Sequence, residues 1–443
     1  MLLLYVHECM RMCVSTLILI FLSLSLSLFV RVCVCVCVCV CSRGNVSCCV
    51  LEQYGLLHRL GSSHGESRIV RKAYPSESYT SLMNECWPLW EKLQERAGTR
   101  LIRHTRGLDI ARKDTDDIHK LIRTCAKHGV THEVLTVEEA RNRYPGLHLP
   151  EDYIAVQVED AGAVHATRTV NAFQQLARQA GVTFLEDEGA TDIVPDADGA
   201  GGGGGVTITT AKGNVIVADK VIITAGAWTK QLLSRITGTS MSVAMDPIHT
   251  TTAYWRCKDD TASRLFSGKD GTFPVVIDYT GHQKLKSDGA GEDEAFGIYL
   301  IPVLEYPGLI KVCHHGGPPV PDPSTREVVP GANELEKFVK PWLRRFLPDV
   351  DETSWAMAEG CMYTVTPTAD FVLDTLPAPY NNITIGGGFS GHGFKFAPII
   401  GEILVDLALE GASKYDVSNF TLDRVIQSAK EAAPPAAAAA KTM

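Results

Sequence analysis

A glycine-rich turn between a short apolar run and a helical pattern constrains the fold of this chain most. Residues Asn382–Ile385 predict a buried strand, and the glycine-rich segment Gly386–Lys395 follows. Apolar residues at helical spacing come next, starting near Pro398, which suits a first helical turn, and ending before Gly411, which suits a helix end. Because glycines lack a Cβ and a helix start exposes amides, this unit predicts a site for an anion or a flat ring that gains negative charge.

Composition limits the class of protein. The 443 residues suffice for two or three domains, and the 45% hydrophobic content with a net charge of −9 is typical of a soluble globular enzyme. No basic run could follow phosphates, so we expect no nucleic-acid partner. Nine of the 14 cysteines lie within the first 49 residues, and the other five are scattered. This pattern argues against a disulfide scaffold or a metal site, and indicates a reducing, intracellular environment.

The first 49 residues are of low complexity. Leu22–Leu28 alternates leucine with serine, and Val32–Cys41 alternates valine with cysteine. Such strict dipeptide repeats are what a translated dinucleotide repeat yields, so we interpret the segment as a non-native start. Hydropathy alone favours another interpretation: residues 14–30 are apolar, nearly long enough to span a bilayer, and flanked by Arg11 and Arg31. We expect no membrane contact unless that segment is genuine.

Charged residues follow the next apolar segment. Val50–Gln53 predicts a strand end that places Glu52 where dinucleotide-binding folds contact a ribose, although a strand-end glutamate is commonly just solvated. Arg68 and Arg71 are three residues apart, so one helical turn would place both on one side. Two guanidinium groups there could hold a carboxylate, and the alternative is a pair of surface arginines.

Two later segments carry further candidates. Gly226 and Trp228 follow a predicted buried strand, where a glycine permits close approach of a cofactor, and an ordinary strand-to-helix turn is the alternative. Lys311 and His315 fall on one face of another strand and could supply a cation and a base; a lysine there is more often an edge residue. His314 beside His315 has no third ligand nearby in the sequence, so we predict no metal.

Six motifs together resemble the monomeric sarcosine oxidase family, most closely its animal peroxisomal sarcosine/L-pipecolate oxidases. The resemblance covers Val50 to about Arg424 and rests on V-L-E-Q, G-S-S-H-G-E-S-R-I-V-R-K-A-Y, V-I-I-T-A-G-A-W-T, E-Y-P-G-L-I-K-V, C-M-Y-T-V-T-P and G-F-S-G-H-G-F-K. It implies FAD bound covalently through Cys361, for which a buried structural cysteine was the alternative. It also implies oxidation of a secondary amino acid to an imine, with oxygen reduced to hydrogen peroxide, by a peroxisomal monomer.

The resemblance also implies roles for single residues. Arg71 and Lys395 would bind the substrate carboxylate, Lys311 would stabilise superoxide, and His315 and His392 would shape the amine pocket. The residues expected at the cofactor are Cys361, Glu52, Ser63, Arg68, Gly226, Trp228, Gly391, Gly393, Phe394 and Lys395.

The predicted fold class is α/β, with a Rossmann-like FAD-binding domain, its first βα unit missing, and an antiparallel-sheet α+β substrate domain. We assign residues 50–105, 151–236 and 355–424 to the FAD-binding domain and residues 106–150 and 237–354 to the substrate domain. Residues 425–443 are predicted to be a disordered tail.

The sequence departs from the family at its start. A G-x-G-x-x-G phosphate cradle is expected before Glu52, where the repeats stand; the one literal match, Gly386–Gly391, fails because its acidic candidate, Asp406, falls inside a helix. We therefore hypothesise weak FAD binding, with an inactive and possibly membrane-tethered form as the alternative function. The terminus Ala436–Met443 carries no clean peroxisomal signal, so location rests on the resemblance.

Overall fold

A computed structural model describes the strand Phe29–Val30 and residues 46–196, 204–238, 241, 243–280, 297–326 and 328–432. Almost all of the segment interpreted as a non-native start or a membrane span, and residues 433–443 of the predicted tail, lie outside the described residues. Within the described part of the chain, no helix has both the length and the apolar character that crossing a bilayer requires.

The strands run through most of the described chain. In order they are β1 Phe29–Val30, β2 Cys49–Leu51, β3 Ser67–Arg71, β4 Ile102–His104, β5 Gly107–Arg112, β6 His132–Leu135, β7 Tyr153–Val158, β8 Ala161–His165, β9 Thr183–Leu185, β10 Ala190–Pro195, β11 Val206–Thr210, β12 Val215–Ala218, β13 Val221–Ile223, β14 Asp246–Cys257, β15 Val275–Asp278, β16 Ile298–Ile301, β17 Leu309–His314, β18 Val350–Val365, β19 Val372–Thr375 and β20 Ile383–Gly387.

Helices fill the connections between strands. They are α1 Glu77–Ala97, α2 Asp116–Lys127, α3 Val137–Arg143, α4 Ala166–Gln179, α5 Thr229–Thr237, α6 Asp260–Leu265, α7 Ala332–Glu334, α8 Lys340–Phe346, α9 Ala397–Glu410 and α10 Leu422–Ala432. Helix α3 begins with a capping box, in which Thr136 and Glu139 satisfy each other's backbone amides. As the sequence predicts, α9 ends at Gly411, which is in the left-handed conformation.

A six-stranded sheet forms the first layer. Its order is β19-β20-β13-β1-β2-β9, and its pairs are parallel except β19 with β20. Strand β1 lies at its centre, with Val30 paired to Leu51 on one side and Ile223 on the other. The position of the first strand, which we predicted to be missing, is therefore filled by Phe29–Val30.

An eight-stranded sheet forms the second layer, in the order β18-β14-β17-β16-β15-β5-β7-β6. Its pairs are antiparallel apart from β5 with β15. The predicted α/β class, a Rossmann-like sheet beside a largely antiparallel sheet, is confirmed. Two three-stranded sheets, β10-β11-β12 and β3-β8-β4, complete the architecture.

Apolar cores cover both faces of each large sheet. In β2, Val50 faces a core that contains Trp90 of α1 and Ile403 of α9, whereas Leu51 faces a second core with Leu233 of α5. This is the alternation of a strand buried on both faces, which reads in the sequence as a continuous apolar run.

Three expectations from the sequence differ from the structure. Arg68 and Arg71 do not lie in a helical turn; they lie in β3, because its pairing with β8 keeps the backbone extended. The predicted disordered tail is wrong for residues 425–432, which extend α10 and bury Val425 in a core. Strand β7 and the part of β18 that contains Cys361 belong to the eight-stranded sheet, although the predicted boundaries place them in the FAD-binding domain.

Candidate functional site

A large cavity, of about 620 Å³, lies between the two large sheets. It takes lining residues from the ends of β2 and β13 in the six-stranded sheet, from β15, β16 and β18 in the eight-stranded sheet, and from the turn after β20. Its volume is within the range of cofactor and substrate sites. All the residues that the sequence suggests for the site line this cavity, with the exception of Lys311.

Two buried basic side chains line one part of the cavity. Arg71 is 6% exposed and Lys395 is 8% exposed. The Arg71 guanidinium lies over the rings of Tyr74 and Tyr279, with centroid distances of 4.6 Å and 5.5 Å, and Lys395 Nζ lies 5.3 Å from the Tyr74 centroid. Both cations therefore share one aromatic wall, and a single carboxylate could contact both.

A buried carboxylate accompanies these cations. Arg71 Nη1 donates to Asp109 Oδ1 at 2.5 Å, and Asp109 is only 2% exposed. Burial raises the pKa of Asp109 to about 6, although the charges of Arg71 and Lys395 oppose the rise. Burial, reinforced by Arg71, lowers the pKa of Lys395 well below its usual range. A bound carboxylate would favour the charged form of Lys395, because it adds an opposite charge beside the ammonium group.

The backbone of Lys395 is held from behind. Its carbonyl oxygen accepts a hydrogen bond from Trp90 Nε1 at 2.7 Å, and the Cys86 thiol lies 3.6 Å from the same oxygen. Trp90 and Cys86 lie four residues apart on one face of α1, and both are fully buried. The long amphipathic helix therefore fixes where the turn after β20 presents its lysine.

Arg68 and Cys361 lie in a neighbouring part of the cavity. The Arg68 guanidinium donates to the backbone oxygens of Ser62, His64 and Ser67 at 2.6–3.1 Å. Cys361 pairs with Thr250 within the sheet, and it is buried. Among the described residues, it is the one cysteine that lines the cavity. Arg68 is thus fixed by three carbonyl groups, and it supplies positive charge in the same cavity as that thiol.

The glycine turn allows two aromatic rings to approach each other. His315 and Tyr363 both line the cavity, with ring centroids 5.0 Å apart. Gly391 has a φ of +79°, and a Cβ there would lie 2.5 Å from His315 Cε1 and 2.6 Å from Tyr363 Cε2. Only glycine fits this position without displacing those rings.

His392 lies in an aromatic cluster at the edge of the cavity. Its ring contacts Tyr79 at 4.9 Å and Phe371 at 4.7 Å between centroids, and its Nε2 lies 3.2 Å from the Ala369 oxygen. The neighbouring Phe394 and Gly393 line the cavity as well. His392 is therefore placed by packing and by a backbone carbonyl.

Lys311 is the exception among the predicted site residues. Its side chain is 1% exposed, and its Nζ donates to the Ser67 oxygen at 3.0 Å, which places it behind the cavity wall. Burial, followed by the nearby charge of Arg68, lowers the pKa of Lys311. The adjacent His314 stacks on Phe338 at 4.3 Å, away from the cavity that His315 lines.

The cavity wall also includes Glu52, Ser63, Gly226 and Trp228. Glu52 follows β2, as the sequence predicts, and accepts a hydrogen bond from the Tyr54 amide at 3.2 Å. Gly226 has a φ of +55°, and a Cβ there would meet no atom within 4 Å, so the backbone borders open space.

A flat cofactor with polar edges fits these residues. The turn glycines leave room for a ring, and the buried Thr169 Oγ1, which lines the cavity, has no hydrogen-bond partner among the described residues. The segment that follows β1, where a phosphate cradle would stand, lies outside the described residues. The fit therefore applies to the cavity wall that the described residues form.

Sequence reasoning missed Asp109, Tyr74, Tyr279 and Tyr363. The signal for Asp109 was a single carboxylate within the apolar run G-L-D-I-A, and Tyr74 and Tyr363 stand inside two of the motifs that carry the resemblance. Tyr279 directly follows β15 and gave no signal of its own.

Solved structures share this architecture. The open form of NikD, an amino acid oxidase essential for nikkomycin biosynthesis, aligns with a TM-score of 0.72 at 24% identity, covering 90% of this chain and 96% of that one. L-Proline dehydrogenase from P. horikoshii aligns with a TM-score of 0.73 at 20% identity, covering 91% and 98%. At this identity the likeness shows the fold.

Sequence relatives define the family. The family described as FAD dependent oxidoreductase matches residues 35–407. A probable sarcosine oxidase from Arabidopsis thaliana is 36% identical over 85% of this chain and 86% of its own length, and the peroxisomal sarcosine oxidase of Mus musculus is 33% identical over 86% and 91%. The chain belongs to the sarcosine oxidase family of FAD-dependent oxidoreductases, which confirms the predicted resemblance and cofactor. An inactive form is not favoured, and the match begins inside the segment interpreted as non-native.

Proposed function

We propose that this enzyme oxidises a small secondary amino acid, such as sarcosine or L-pipecolate, to an imine and reduces oxygen to hydrogen peroxide. The observation that carries the proposal is the pair of buried cations, Arg71 and Lys395, that line the cavity together. Two such groups match the carboxylate that every amino acid carries. Relatives named as sarcosine oxidases in plants, mammals and bacteria support the same substrate class.

Arg71 and Lys395 would bind the substrate carboxylate and so fix the orientation of the amine end. His315, Tyr363 and His392 would then shape the space around the amine, since their rings line the adjacent wall. Holding the substrate in one orientation lowers the barrier by removing the entropy cost of alignment. FAD, when bound, supplies the two-electron acceptor for the carbon–hydrogen bond next to nitrogen and passes those electrons to oxygen.

Lys311 would supply positive charge for the reduction of oxygen. It is fixed by the Ser67 carbonyl and lies near Arg68, so the two cations act from one side of the site. A preorganised cation stabilises developing negative charge without reorganisation, and it does so most strongly in a buried environment. Its position behind the wall keeps it away from the substrate carboxylate.

We propose Cys361 as the point of covalent attachment for FAD. Its thiol lines the cavity that Arg68 also lines, so a flavin bound there would lie within reach of the sulfur. Denaturing the loaded protein in acid tests this proposal: a yellow colour that stays with the protein supports attachment, and a colour that separates from it contradicts attachment.

Two mammalian relatives are named peroxisomal, and four bacterial relatives are named monomeric. We accordingly propose a peroxisomal monomer. Fluorescence imaging of the full chain and light scattering of the purified protein test these two points separately.

Peroxide release with sarcosine and with L-pipecolate, measured side by side, tests the reaction. Glycine is the matched control, because it has the same carboxylate but a primary amine. We expect peroxide from at least one secondary amine at a rate well above that with glycine. A protein that is loaded with FAD but releases peroxide from neither secondary amine would exclude the proposed substrate class.

A further inference from the structure

The carboxylate that accompanies the two basic residues has no role in the reaction described so far. Asp109 does not line the cavity; it lies behind Arg71, in a strand that is paired on both sides within the eight-stranded sheet. Its carboxylate contacts the Arg71 guanidinium at Nη1, on the side away from the open cavity. Placing a carboxylate at such a depth costs free energy, which the ion pair and its hydrogen bond offset.

The groups that face Asp109 determine the charge of this region. They are Arg71, Tyr74, Tyr279, Lys395 and Cys125, contributed by β3, the segment after β3, the segment after β15, the turn after β20 and α2. Burial raises the pKa of both tyrosines and of the cysteine, so these three are neutral at pH 7. With Lys395 in the charged form that a bound carboxylate favours, the charged groups are two cations and one carboxylate, which leave one net positive charge beside the ligand.

We propose that Asp109 determines specificity: by neutralising Arg71 from behind, it restricts the site to substrates with a single carboxylate. The inference rests on the proposed function, since it requires the substrate carboxylate to bind at Arg71 and Lys395. One carboxylate satisfies the one net charge beside Arg71 and Lys395, and a second carboxylate on the same small ligand finds no further uncompensated cation at these two residues. Asp109 acts through Arg71 and is therefore a positioning residue.

A merely structural role for Asp109 predicts something different. If the carboxylate only stabilises the buried guanidinium, its removal destabilises the protein and weakens all anions alike. If it sets the charge of the site, its removal favours a dianion over a monoanion. The preference between acetate and malonate separates these cases, because both are small carboxylates and differ by one charge at pH 7.5.

The neighbouring strand provides a matched control. Asp278 in β15 is also fully buried, and it pairs with Ile110, the residue after Asp109 in β5. Its carboxylate accepts hydrogen bonds from Trp342 Nε1 and the Thr280 amide, each at 2.8 Å, and not from Arg71. Asp278→Asn therefore removes an equally buried carboxylate in the same sheet without altering the charge beside Arg71.

The experiment measures the binding of acetate and of malonate to the FAD-loaded protein at pH 7.5, through the change in the flavin absorbance spectrum. Asp109→Asn is expected to shift the ratio of affinities towards malonate by about tenfold or more, the effect of one unit charge within a partly screened site. Asp109→Glu, which keeps the charge, and Asp278→Asn should leave the ratio within about twofold of the wild type. Asp109→Ser, which leaves room for a water molecule beside Arg71, gives the same comparison if the asparagine variant does not fold.

The outcomes separate the two proposals. If the wild type binds neither anion, the proposed carboxylate site is wrong, and this inference fails with it. If the wild type binds acetate and Asp109→Asn keeps the wild-type ratio, the carboxylate site stands and the role of Asp109 is refuted. An equal shift in Asp278→Asn would also refute it, because any loss of a buried carboxylate would then produce the effect.

Discussion

Replacing Lys395 by methionine should weaken substrate binding without unfolding the protein. Methionine has nearly the same length and no charge, and the side chain it replaces is 8% exposed and packed beside Tyr74. Loss of a charge-assisted hydrogen bond to a carboxylate costs about 1.5–3 kcal/mol, which corresponds to about a 10- to 150-fold fall in kcat/KM. Arg71 would still bind the carboxylate, so activity should fall without vanishing.

The pKa of Lys395 predicts the effect on stability. Burial lowers the pKa in the folded protein, so the unfolded chain binds the proton more tightly, and the charged lysine costs stability at every pH below its unfolded value. Methionine removes that cost, so the free energy of unfolding at pH 7 should be unchanged or higher. A marked loss of stability would indicate a contact that the structure does not show.

Lys311→Met is the matched control, because it makes the same replacement at a lysine behind the cavity wall. Anaerobic reduction of the flavin by sarcosine, followed by stopped-flow absorbance, should lose substrate affinity in Lys395→Met and stay near wild type in Lys311→Met. Reoxidation by oxygen should be slowed mainly in Lys311→Met. Equal loss of both steps in the Lys311 variant, or an unchanged substrate affinity in the Lys395 variant, would refute the assigned roles.

Three further predictions concern single residues. Cys361→Ser should keep its fold under native conditions, as measured by circular dichroism, and should release its flavin when the protein is then denatured in acid. Colour that stays with the denatured protein would contradict this. Gly391→Ala should destabilise the protein by about 1–3 kcal/mol, because it forces a left-handed backbone on alanine and a methyl group against His315; an unchanged melting temperature would exclude that strain. Burial raises the pKa of Asp278 from 3.8 to about 6. The unfolded chain therefore releases this proton first as the pH rises, and the free energy of unfolding falls by about 3 kcal/mol between those two values. Asp278→Asn should therefore make the pH dependence of unfolding shallower between pH 4 and pH 6, and an unchanged slope would contradict the assignment.

Local patterns predicted the strand–turn–helix unit well. Its glycines, Pro398 and the apolar spacing of α9 act within a few residues of each other, so local sequence is enough to determine this unit. Glu52 at the end of β2 was predictable for the same reason.

Contacts distant in sequence were not predictable in this way. The three-residue spacing of Arg68 and Arg71 fits one helical turn, but β3 forms a strand because it pairs with the distant β8, where Arg68 lies opposite Val164 and Arg71 opposite Ala161. The partner of Arg71, Asp109, is 38 residues away. The filling of the central sheet position by Phe29–Val30 depends on two flanking strands that only the folded chain brings together.

The hydrogen bond from Trp90 to the Lys395 carbonyl lets a residue outside the cavity control the position of a binding residue. A smaller or non-donating side chain at position 90 would let the lysine shift, while every group that touches the ligand stayed chemically intact. Efforts to broaden the range of amino acids accepted by this enzyme could therefore begin on the buried face of α1, where a substitution would move Lys395 without replacing it.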